Sequence, residues 1–124
     1  MSAPSRTFVW PAVAMILVAG LVHLIDAPDS FEEAAYKGLL FVANGVGSII
    51  AAIGIIRGRR GWGWGLGFFI AAFSLGLYAA SRTIGLPHLP AEPDEWFEPL
   101  GVLSMISEGL FLFITFAAFR KNAG

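Results

Sequence analysis

Of the nine acidic residues in this chain, eight fall in two charged stretches and the ninth, Glu108, stands inside an otherwise apolar run. An ionisable group in hydrocarbon costs at least ~2.5–3.5 kcal/mol, so one that is kept there usually faces other protein and has a partner or a task. Other apolar runs hold His23, Asn44, Ser74 and Tyr78. At about 1.5 Å per residue from the basic end of each run, Glu108 lies ~16 Å in, Asn44 and Ser74 ~18 Å, His23 ~22 Å and Tyr78 ~24 Å. Residues three or four apart share a helix face, which gives each run one polar stripe. His23, Asn44, Tyr78 and Glu108 are therefore read as a ligand or ion site opening toward the acidic end, with Glu108 as the group that titrates. The competing reading makes the same groups hydrogen-bonded glue between helices.

Other chemistry is weaker. His23, His88, Glu33 and Glu108 have the right atoms for a metal, but their spacing matches no ligand pattern. The absence of cysteine removes disulfides, thiolate sites and thiol catalysis. There is no basic arm or recognition pattern for nucleic acid, no nucleophile–base pair, and no motif that names a cofactor. Arg82, among so many carboxylates, is expected to pin an outer cap with Glu33 or Glu98 by a salt bridge.

The elements that must position these groups are membrane helices. The 56% hydrophobic content is more than a soluble domain of 124 residues can hide, and ~20 apolar residues span ~30 Å of hydrocarbon. Four runs qualify, 8–25, 38–56, 62–81 and 100–119, with outer connections 26–37 and 82–99. The first is read as a retained helix, because no small-residue cleavage site follows it. The expected fold is one all-α domain over 1–124, an up-down-up-down bundle of four transmembrane helices. Arg6, Arg57, Arg59, Arg60, Arg120 and Lys121 fall on one side without an acidic residue, which predicts a multi-pass protein of the plasma (inner) membrane with both termini cytoplasmic. The turn 57–61 is tight, so the second and third helices should be neighbours, meeting through Gly54, Gly63 and other small residues. The proline-rich outer connection 83–97 is expected to cap the outer mouth.

The stretch His23, Asp26-Ala27-Pro28, Phe31-Glu32-Glu33-Ala34, Tyr36 and Asn44, with Ser81-Arg82-Thr83-Ile84-Gly85-Leu86-Pro87, Glu98-Pro99-Leu100-Gly101 and Glu108, resembles a group of small bacterial four-helix membrane proteins. That resemblance implies an architecture and no activity. Three functions remain open. The favoured one is a non-catalytic role, as accessory subunit of a larger membrane complex or as a binding protein with an outward polar site. The alternatives are a cation- or proton-coupled transporter using Glu108 and His23, working as a homo-oligomer, and a membrane enzyme acting on a lipid or quinone. Membrane lipids are partners in every case.

Overall fold

The computed structural model describes residues 4–123. It contains α1 (Arg6–Glu33), α2 (Ala35–Ile56), α3 (Leu66–Thr83) and α4 (Pro99–Ala123), packed as an antiparallel bundle. All four spans, with the short helical segment before α3 counted into the third, are long and apolar enough to cross a membrane. Large apolar side chains point away from the bundle, among them Leu21, Ile25, Leu39, Phe113 and Phe116. In water this surface would be a severe liability, whereas in lipid it is the matching solvent. The chain is an integral membrane four-helix protein.

The helices outrun the apolar segments that announce them. The first connection, expected over 26–37, is helical through Glu33, and the chain reverses at Ala34 alone, whose backbone is extended. Apolarity marks where hydrocarbon ends, but the i to i−4 bonds continue into the polar layer. Pro28 lies inside α1 and lacks only its own N–H. Asp26, Asp29, Glu32 and Glu33 are thus spaced along a helix rather than a loop. Between α2 and α3, a π-helical turn, Arg60–Gly65, feeds straight into α3. Here α2 and the turn meet backbone to backbone: a Cβ on Gly54 would lie 2.5 Å from the Gly63 Cα. Such an approach is open only to glycine.

α1 packs against α2 and α4, while α3 leans on α4 and α2. The packing changes along the bundle. At the basic end Val9, Val13, Ile16, Ile55, Trp64 and Phe111 form a closed apolar core. Trp64 stacks on Phe111 at 6.4 Å and meets Phe119 edge-on at 5.8 Å. Arg6 donates from Nη1 to the Ile56 carbonyl (2.8 Å), satisfying an orphan acceptor at the C-terminus of α2. At the other end the buried groups are polar: His23, Ser48, Ser81, Ser104, Ser107 and Glu108. That is the half that holds the cavity.

Candidate functional site

The lower wall is built by four helices. On α1 the ring of His23 is buried, and its Nδ1 lies 2.7 Å from the Ala19 carbonyl one turn back. A carbonyl only accepts, so Nδ1 carries the proton. Nε2, 3.1 Å from Ser74 Oγ on α3, is then free to accept from that hydroxyl. The ring also packs at 4.9 Å against Phe41 of α2. These contacts hold the ring's orientation and favour the Nδ1-protonated tautomer.

On α4, Glu108 is 2% exposed. Ser104 Oγ donates to its Oε1 at 3.0 Å, one turn away. Ser74 and Asn44 also lie beside the carboxyl, yet Oε2 is fully buried and takes a hydrogen bond from no described residue. A buried oxygen without a partner costs ~1–3 kcal/mol. On α2, Ser48 Oγ donates to Asn44 Oδ1 at 3.3 Å.

Above this wall is a cavity of about 230 Å³, lined by His23 and Asp26 of α1, Lys37, Phe41 and Asn44 of α2, Phe69, Phe73, Ser74, Tyr78 and Arg82 of α3, Glu98 just before α4, and Gly101 and Ser104 of α4. The four site residues read from the sequence thus separate into two groups. His23, Asn44 and Tyr78 line the cavity, whereas Glu108 lies behind Ser104 in the floor and not on the surface. The sequence reading did not single out Phe41, Phe69 and Phe73. The signal was present in the i, i+4 spacing of Phe69 and Phe73 on the α3 face next to Ser74, but aromatic residues in a membrane helix are ordinarily lipid-facing.

The connection between α3 and α4 lies at the cavity's acidic end, where it contributes Leu86 and Glu98 to the lining. Tyr78 Oη donates to the Trp96 carbonyl (2.8 Å), Tyr36 Oη to the Pro87 carbonyl (2.6 Å), and the Glu92 N–H to the Ser81 carbonyl (2.9 Å). Leu86 and Leu89 exchange backbone hydrogen bonds around Pro87-His88, and His88 has a positive φ of 63°. His88 is accordingly a turn residue. Glu92 is pushed up to about 6, first by a hydrogen bond shared with the Glu95 side chain and then by burial and repulsion from Glu95.

The expected Arg82 salt bridge is not found among the described residues. Arg82 lies over the Tyr78 ring (4.1 Å to the centroid) and donates to the Glu95 carbonyl (3.3 Å) and to Ser81 Oγ (2.7 Å). Glu98 is engaged elsewhere, as the cap of α4: its carboxylate accepts from the Leu100 and Gly101 N–H groups at 3.2 and 2.7 Å. The free N–H groups at the start of α4, where Pro99 has none to offer, are a strong draw for the carboxylate immediately upstream. Glu33 pairs with Lys37 at 2.6 Å, the one ion pair among the described residues. The metal candidates His23, His88, Glu33 and Glu108 do not converge, and no group of three acidic or histidine side chains is placed to hold an ion among the described residues.

No protein-family model matches the chain, and no curated protein or solved structure is significantly similar to it. The likeness to small four-helix membrane proteins therefore rests on the four long apolar helices, and any reading of function must come from the cavity.

Proposed function

We propose that this chain is a non-catalytic membrane protein that binds a small molecule in the cavity between its helices, with the acidic end outward and both termini cytoplasmic. The observation that carries the reading is the division of the bundle. One half is a closed apolar core, and the other half gathers polar side chains from all four helices around open volume. Helix glue needs polar pairs and no cavity. A binding site needs a concave, mostly apolar pocket with a few convergent polar groups. The orphaned Glu108 Oε2 adds a buried polar group that internal packing leaves unsatisfied.

Native mass spectrometry of the chain released gently from its own membrane tests this. A small molecule retained in stoichiometric amount supports binding. A stoichiometric larger protein with an empty cavity makes the chain an accessory subunit instead. Coupled transport has one observation of its own: Ser74 bonds His23 and lies beside Glu108, so a hydroxyl stands between an imidazole and a carboxyl. Proton or cation uptake into proteoliposomes, lost in Glu108→Gln and in His23→Ala, would favour it over binding alone.

A further inference from the structure

Resting on the binding reading above, we infer that the ligand is a neutral, ring-headed lipid of quinone type that enters sideways from the bilayer between α2 and α3. Four features of the cavity converge on that class. The first is access. Leu40, Phe69 and Phe73 line the cavity and are also 39%, 56% and 51% exposed on the bundle surface. The cavity therefore breaks through the α2–α3 face at a level where the surroundings are hydrocarbon, while the connection bonded through Tyr36, Tyr78 and Arg82 lies at its acidic end. A solute from water meets that connection, and a solute already in the membrane meets an opening.

The second feature is size. A protein cavity of ~150 Å³ holds a benzene molecule, so about 230 Å³ accepts a substituted six-membered ring as the head, with any tail left outside. A tail would leave through the opening between Phe69, Phe73 and Leu40. The third feature is the lining, in which Phe41, Phe69, Phe73 and Tyr78 offer ring faces and edges to a flat guest.

The fourth is charge. The acidic and the Lys or Arg side chains on the cavity surface balance in sign, Asp26 and Glu98 against Lys37 and Arg82, with His23 as the one further titratable imidazole. Glu98 and Lys37 are already engaged, by the α4 N-terminus and by Glu33. An anionic or cationic head would find no net field to hold it, whereas a neutral carbonyl meets the Asn44 amide at the inner wall, beside the Glu108 carboxyl.

The test uses the full chain in lipid nanodiscs and three photoactivatable probes: an azido-benzoquinone with a ten-carbon tail, the same ring without the tail, and an azido fatty acid. Saturable labelling of peptides covering residues 37–44 and 69–78 is expected from the tailed quinone, with the tailless ring at least tenfold weaker. Asn44→Leu should weaken the tailed probe about tenfold. Leu40→Trp, a change on the exposed rim that leaves the interior intact, should block it. Saturable labelling of the same peptides by the fatty acid in preference to the quinone would overturn the ligand class and leave the binding reading standing. If none of the three probes saturates, the quinone class is overturned, and the binding reading falls with it only where native mass spectrometry also finds the cavity empty. If the tailed quinone labels well but Leu40→Trp leaves it unchanged, the lateral entry is refuted.

Discussion

Replacing Glu108 by Met separates a functional carboxyl from a structural one. Met has nearly the length and volume of Glu and no polar oxygen, so the substitution keeps the packing of a side chain that is 2% exposed. Two opposite terms change. One hydrogen bond is lost, from Ser104 Oγ to Oε1 at 3.0 Å, worth ~0.5–1.5 kcal/mol net. The burial of an unpartnered Oε2 is relieved, which recovers ~1–3 kcal/mol. Ser104 itself can turn its hydroxyl to a backbone carbonyl of the preceding turn, as Ser107 does to Leu103. The balance favours the variant by roughly 1 kcal/mol. The assay is thermal unfolding of the purified chain in a mild detergent, followed by circular dichroism, against wild type and Glu108→Gln. A midpoint raised in Glu108→Met, together with loss of ligand, identifies Glu108 as a group kept at a cost in stability for what it does in the site. A loss of more than ~1 kcal/mol would refute the argument, because it would mean that Ser74 and Asn44, which lie beside the carboxyl, hold it as well as Ser104 does.

Three further outcomes follow from the same geometry. Gly54→Ala places a methyl 2.5 Å from the Gly63 Cα and should destabilise by ~1–3 kcal/mol, whereas Gly76→Ala, with nothing within 4 Å, should gain up to ~1 kcal/mol in helix propensity; equal melting of the two would dispose of the close seam. Glu92 is raised from its ordinary 4.5 to about 6, so the cap's shared-proton contact is fully present below about pH 4.5 and is lost as pH rises through about 6. Hydrogen exchange across residues 86–97, corrected for intrinsic rate, should quicken over that window in the wild type and stay flat in Glu92→Gln. Because the chain has no cysteine, single variants Asp94→Cys and Arg59→Cys report topology directly: a membrane-impermeant maleimide applied to intact cells should label the first and spare the second, and the reverse would invert the orientation.

How far the sequence could be read depended on which forces are local in it. Hydrocarbon length and composition are properties of consecutive residues, so the four helices and the tight approach of Gly54 to Gly63 were legible. The extent of α1 was not, because a helix ends where its backbone bonds end, at Ala34, and not where charge begins, at Asp26. Depth and facing brought His23, Asn44 and Tyr78 to one cavity, since both follow from a fixed rise and a fixed period. They could not distinguish a side chain on the cavity surface from one a single layer behind it, and Glu108 is such a case. Charge pairing failed for a different reason. Reading carboxylates as partners for Arg82 ignored the backbone as a competitor, and the bare N–H groups of α4 claimed Glu98 while carbonyls and the Tyr78 ring held Arg82. The sequence gives no hint of the opening between α2 and α3 either, because Phe69 and Phe73 look like any lipid-facing pair. It takes the polar row behind them, Ser74 and Tyr78 facing His23 and Asn44, to turn two lipid-facing aromatics into the rim of a site. A membrane protein with apolar rings at such an opening and hydrogen-bonding groups inside it meets its ligand in the bilayer, where a tail serves as the guide and the head alone decides recognition.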